Sequence, residues 1–216
     1  MPAGPYAART KYDERKARAY QQRSPKRDRS EMRMVDRAFA LVPQTHRVLD
    51  VPCGGGRIAL HLGRQGYRVA AGDLSEAMLT IARENVAKAG LECPVDRLDV
   101  EKLIYSDQAF DTIVTFRLFH HFPTVELRQR VIHELCRVAR KYVVLSYFSS
   151  LSVASLKRRL RRAPTGGKSG KNYTPLKEVE AYFGQAGFRL VKDFAQTPIL
   201  RTLHLAVFER AGESRP

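Results

Sequence analysis

Three aspartates, each at the end of an expected strand, and one cluster of glycines are the residues best placed to bind a charged ligand. Asp50 ends the run Arg47-Val48-Leu49-Asp50-Val51, and Pro52-Cys53-Gly54-Gly55-Gly56-Arg57 follows at once. Glycines there let the backbone turn tightly and let a ligand approach without a Cβ in the way. The spacing Gly54-x-Gly56-x-x-Ala59 also satisfies the nicotinamide fingerprint, and a bare strand-to-helix turn has the same glycines. The acid discriminates among these readings. A carboxylate at position 50 repels a pyrophosphate and attracts a ligand carrying an ammonium and a sulfonium. Asp73 follows 23 residues after Asp50, where an acid can accept from both ribose hydroxyls. Asp99 stands where a carboxylate can accept from an adenine amine.

A second group lies in Thr115-Phe116-Arg117-Leu118-Phe119-His120-His121-Phe122. His120 and His121 are candidate general bases near neutral pH, with packing as the alternative role. Arg117 is a candidate for holding an anionic acceptor. His46, His61, His133 and His204 are scattered and form no ligand set, and Cys53, Cys93 and Cys136 form no CxxC motif. Three free thiols suit a reducing compartment, and Cys53 reads as a small buried filler in the glycine loop.

The elements needed to position these groups alternate regularly. Strands are expected at 47–51, 67–71, 95–98, 110–116 and 142–145, with two more at 188–194 and 203–208. Between them, helical spacing appears through Ile58, Leu60 and Leu62, then through Leu74, Met78 and Ile81 behind a Ser75 N-cap. It appears again through Leu127, Val131, Leu135 and Val138, and from Pro175 to Gln185. An earlier helix with Met34, Ala38 and Leu41 on one face is expected to stop at Pro43. Strands separated by such helices indicate an α/β fold. It is a single Rossmann-like domain over 43–210, with a mostly parallel seven-stranded sheet and helices on both faces. A basic N-terminal arm and helix (1–42) and a basic insertion after strand five complete the chain. Ligands of such sheets sit beyond the carboxyl ends of the strands, near the switch point.

With those motifs in order, the sequence resembles the class I S-adenosylmethionine-dependent methyltransferases from about Val48 to Arg210. Val48 to Arg57 is similar to their first motif and Gly72-Asp73-Leu74-Ser75-Glu76-Ala77-Met78-Leu79 to their second. Asp99-Val100 followed by Ala109-Phe110-Asp111-Thr112-Ile113-Val114 is similar to their third motif and fourth strand. The resemblance implies S-adenosyl-L-methionine as cofactor. Gly54 and Gly56, with Cys53 between strand and glycines, would pass under its methionine part, and Asp50 would hold the amino group. Arg57 would pair with the methionine carboxylate, and Asp73 would take the ribose. Leu74 would pack on adenine, Asp99 and Val100 would read the adenine edge, and Phe116 would border the cofactor. Two positions depart from the family pattern: Pro52 stands where glycine is usual, and Val138 to Tyr142 lacks the Pro-Gly-Gly turn before strand five.

Charge bears on the acceptor. The 216 residues carry a net charge of +16. Residues 1–37 hold 11 Lys/Arg against 5 Asp/Glu, and residues 157–171 hold 7 against none, so these stretches supply 13 of the 16. Such clustering points to an anionic partner. Arg158, Arg159, Arg161, Arg162, Lys168 and Lys171 are the expected contacts to a phosphorylated glycan or lipid headgroup, or to a nucleic acid. Gly166-Gly167-Lys168-Ser169 follows no apolar strand and lacks the first glycine of a P-loop. A small cytoplasmic metabolite is the alternative acceptor. A non-catalytic methyltransferase-like module binding RNA or membrane is the alternative from another class, and a nicotinamide oxidoreductase is disfavoured by Asp50. The N-terminus lacks the apolar stretch of a secretory signal, so the protein is expected in the cytoplasm, with peripheral contact to the inner face of a membrane open to its basic segments.

Overall fold

Short runs of apolar residues buried on both faces make the middle of the sheet. The computed structural model describes residues 24–150, 172–196 and 202–212. Strands β1 (Arg47–Asp50), β2 (Arg68–Asp73), β3 (Val95–Arg97), β4 (Phe110–Thr115), β5 (Ala139–Phe148), β6 (Phe188–Ala195) and β7 (Leu203–Arg210) form one sheet in the order β3-β2-β1-β4-β5-β7-β6. The pairs from β3 to β5 are parallel, and β7 is antiparallel to both β5 and β6. The chain therefore runs outward from β1 through β2 to β3 and resumes at β4 on the other side of β1. That reversal opens a crevice beyond the β1 and β4 carboxyl ends, and Asp50 sits in it, in register with Ala71 and Val114.

Alternation along each strand divides the core in two. Val48 and Val144 face helices α1 (Pro25–Phe39), α2 (Arg57–Arg64) and α3 (Glu76–Lys88), meeting Met34, Ala38, Ile58, Leu62, Leu79 and Ala82. Leu49 and Val143 face α4 (Val125–Val138) and α5 (Leu176–Gln185), meeting Leu127, Val131, Leu135, Val179 and Phe183. Helices thus cover both faces, as expected for strands that read as continuous apolar runs.

Several element bounds differ from the expectation. Helix α1 begins at Pro25, whose missing N–H costs nothing at the first helical position, and ends at Phe39, leaving Leu41 exposed. Its buried face is Glu31, Met32, Met34, Val35, Ala38 and Phe39. In α3 the Ser75 hydroxyl caps the Met78 N–H, but the buried residues are Met78, Leu79, Ala82 and Val86. Leu74 precedes that helix and stands beside Asp73 at the strand end. Strand β5 starts at Ala139, directly after the last residue of α4, and runs ten residues rather than the four of the apolar run. Seven of those residues, Tyr142 to Phe148, pair with β7, which extends the strand beyond its most apolar part. The arm before Ser24 and the basic insertion, including Arg158, Arg159, Arg161, Arg162, Lys168 and Lys171, lie outside the described residues.

Candidate functional site

The site is built around Asp50. Its side chain is fully buried, Oδ2 accepts from the Ala59 N–H at 3.1 Å, and Oδ1 has no hydrogen-bond partner among the described residues. Burial pushes this carboxyl up to about 8, against the lowering effect of the Ala59 N–H and of the Arg57 cation. An ionised buried acid lacking a partner is costly, so the free oxygen is a receptor for a cation or a hydrogen-bond donor.

The loop over Asp50 leaves room for such a ligand. Gly54 and Gly56 have φ of 54° and 80°, in the left-handed region that disfavours a side chain. A Cβ at Gly54 would meet nothing within 4 Å, whereas one at Gly56 would touch Ala82 of α3 at 3.4 Å. The first glycine therefore borders open space, and at the second a side chain would make only ordinary contact with α3, so its positive φ is what requires glycine. The Val51–Pro52 peptide is cis. Cys53 is buried, its N–H bonded to the Gly72 carbonyl, and burial together with Asp50 and Asp73 raises its thiol pKa. It anchors the loop to β2 as a neutral group.

Asp73 closes the second side. Its Oδ2 accepts from the Gly54 N–H and its Oδ1 from the Ser75 N–H, both at 2.9 Å. One carboxylate thus fixes the glycine loop and the turn into α3, with further lone pairs able to accept. Burial raises its pKa, offset in part by the N–H groups of Ser75, Gly54 and Leu74. Asp99 accepts from the Glu101 N–H at 3.0 Å, and Val100 beside it is buried. Asp50, Gly54, Asp73, Leu74, Asp99 and Val100 thus lie at or just beyond the ends of β1, β2 and β3, three neighbouring strands of the sheet.

Arg57 is engaged elsewhere. Its Nη1 donates to Asp28 and its Nη2 to Glu31 at 2.7 Å, both on α1, and its guanidinium lies 5.6 Å from the centre of the Phe116 ring. Burial would lower its pKa, but Glu31 and Asp28 override that and raise it. Arg117 Nη1 donates to the other oxygen of Glu31 at 2.8 Å. Glu31 was missed in the sequence, although it stood as an acid on the apolar stripe of α1, three, four and seven residues before Met34, Val35 and Ala38. Arg117 also has φ of 63°, rare for a long side chain, and its N–H is held by the Ser146 hydroxyl.

Beyond Arg117 lies an aromatic wall. The His120 ring stacks on Phe148 at 4.0 Å and lies 4.1 Å from the His121 ring, while Phe148 stacks on Tyr173 at 5.8 Å. Asn172 donates its N–H to the His120 carbonyl and its side-chain amide to the Phe122 carbonyl, so the chain returning from the insertion is tied to this wall. With His120 buried between two rings, His120→Gln and His121→Gln are expected to leave cofactor affinity intact and to lower turnover less than tenfold. A general base contributes typically about 10²–10⁴-fold, and a loss of that size in single-turnover assays would make the affected histidine the base.

The family model described as "Methyltransferase domain" matches residues 48–142. A ubiquinone biosynthesis O-methyltransferase of Hahella chejuensis is 26% identical over 171 residues, covering 74% of this chain and 70% of that protein. The methyltransferase GfsG of Streptomyces halstedii is 39% identical over 98 residues, covering 44% of this chain but only 34% of its own length. Among solved structures, the magnesium protoporphyrin IX methyltransferase of Synechocystis, with bound S-adenosylhomocysteine, has a TM-score of 0.75 at 19% identity, covering 95% of this chain and 96% of that one. That last likeness is one of fold.

Proposed function

As the chain is a class I S-adenosylmethionine-dependent methyltransferase, we propose that it methylates an oxygen of a small acceptor bearing a flat ring and a negative charge. The observation that carries the donor side is the unpartnered, fully buried Asp50 oxygen beside the open space at Gly54. It suits an amino group approaching over a backbone without side chains. Asp73 would take the ribose hydroxyls, Leu74 would pack on the adenine, and Asp99 with Val100 would meet its edge. On the acceptor side, the wall of His120, Phe148 and Tyr173 suits a planar ring. The basic insertion, with seven cations and no acid between Lys157 and Lys171, suits the negative charge. The name of the Hahella relative supports oxygen as the methylated atom.

S-adenosylmethionine supplies an activated methyl group on a positively charged sulfur. The acceptor atom must then be held in line with the departing sulfur, roughly 3–3.5 Å from the carbon. The protein's part is to neutralise the donor's ammonium at Asp50, fix its ribose at Asp73, exclude water with the aromatic wall, and orient the acceptor. A phenol or enol near its own pKa needs no strong base.

A second reading, an anionic lipid headgroup, glycan or nucleic acid as acceptor, is favoured by the seven cations and no acid between Lys157 and Lys171. Methyl-labelled cofactor incubated with a fractionated cell extract separates the two readings. Label is expected in the small-molecule fraction; label confined to lipid or nucleic acid selects the second, and no binding of S-adenosylhomocysteine by calorimetry would end both. Salt provides a further check. Exposed charges act over about 30 Å at 0.01 M salt and about 8 Å at 0.15 M, so acceptor kcat/KM should fall across that range while cofactor Kd hardly moves. Neutralising Arg158, Arg159, Arg161 and Arg162 together should flatten the salt dependence; an unchanged slope would remove the insertion from acceptor binding.

A further inference from the structure

Glu31 lies on α1, outside the matched 48–142 domain, yet it is a fully buried carboxylate set among three guanidiniums. Oε1 takes Arg27 at 3.2 Å and Arg117 at 2.8 Å, and Oε2 takes Arg57 at 2.7 Å, with Asp28 also on Arg57. Among the described residues the cluster holds three guanidiniums against two carboxylates. Arg27 is 49% exposed and needs no further partner, so Arg117 is the guanidinium of the cluster whose remaining donors, at 12% exposure, call for an anionic acceptor.

The location says which anion. Arg57 opens α2 immediately after Gly56. Arg117 follows β4, the strand beside β1, and Thr115 just before it bonds the Val51 carbonyl at 2.8 Å. Both guanidiniums therefore flank the loop above Asp50. Arg57 already has one Nη on each of two carboxylates. Arg117 uses one of its five N–H donors on Glu31, is only 12% exposed, and has no partner for Nε or Nη2 among the described residues. A methionine whose ammonium sits on Asp50 carries its carboxylate on the same carbon, so that carboxylate must lie beside the β1 and β4 ends.

We propose that Glu31 is a positioning residue of the cofactor site, aiming the Arg117 guanidinium from the N-terminal helix at the carboxylate of the bound methionine. Arg117, rather than Arg57, then supplies the carboxylate partner. Arg57 serves to hold Glu31 in place. Helix α1 becomes part of the cofactor pocket through one side chain, and only the amino-acid end of the ligand senses it. This rests on the methyltransferase reading.

Two ligands separate this role from a structural one. S-adenosylhomocysteine has the amino-acid end, and 5′-methylthioadenosine keeps the nucleoside and the sulfur without it. Calorimetry on the full chain should show Arg117→Gln and Glu31→Gln losing about 10- to 100-fold in affinity for S-adenosylhomocysteine, the range of a charge-assisted hydrogen bond. Affinity for 5′-methylthioadenosine should change less than about twofold in Arg117→Gln, the variant that leaves Glu31 its other two arginines. Equal losses on both ligands would make the cluster merely structural and overturn the proposal. So would a variant binding S-adenosylhomocysteine as wild type does. Failure of the wild-type chain to bind S-adenosylhomocysteine at all would instead strike the methyltransferase reading.

Discussion

Binding of S-adenosylhomocysteine is expected to weaken about 50-fold between pH 8 and pH 6, because Asp50 with its pKa near 8 must give up a proton before it can pair with an ammonium. The ligand keeps its positive amino group over that range, so the dependence belongs to the protein. Near pH 7 the association should release about one proton, read as a binding enthalpy that varies with the ionisation enthalpy of the buffer. Asp50→Asn removes the titrating group and should abolish both the proton release and the pH slope while binding more weakly at pH 8. A slope that survives in Asp50→Asn would assign the linkage to another group. The unliganded protein should show the reverse sign in its stability. An acid whose folded pKa lies above its unfolded value favours the fold below the unfolded value, and that contribution is lost as pH rises towards 8. Thermal melts of the unliganded chain should therefore fall across that window and level off above it, and saturating ligand should counteract the loss.

How much of this was legible in the sequence follows from what each residue depends on. Asp50, Gly54 and Asp73 are set by local order: a strand end, a turn and the next strand end, each marked within a few residues. The central strands were equally legible, because strands buried on both faces announce themselves as apolar runs. Partnerships were less so. Arg57 in sequence is only a cation on a first helical turn; its pairing with Asp28 and Glu31 depends on α1 packing across α2, residues 26 to 29 positions away. The length of β5 depended on its pairing with β7, some 60 residues later. The His120 pair had the right type and place for a base, but its stacking on Phe148 required the end of a different strand. Glu31 had a local signal, an acid on an apolar stripe, whose meaning came only with the arginines brought to it.

Asp73→Ala is expected to lower S-adenosylhomocysteine affinity by about 1.5–3 kcal/mol, since the bonds lost have one charged partner, which is roughly 10- to 150-fold in Kd. The carboxylate has two duties that the measurement must separate. It receives the N–H groups of Gly54 and Ser75, so its loss also frees the glycine loop and the turn into α3. A ligand lacking a ribose hydroxyl distinguishes them. Wild type should bind S-adenosylhomocysteine more tightly than its 2′-deoxy counterpart, because the missing hydroxyl leaves a lone pair of Asp73 unused. In Asp73→Ala the two ligands should bind alike, with the discrimination gone along with its acceptor. Asp73→Asn, which keeps one oxygen for the loop, should retain more affinity than the alanine variant and part of the discrimination. If Asp73→Ala weakened both ligands but preserved the wild-type ratio between them, Asp73 would serve only to shape the loop, and the ribose would be held by another group.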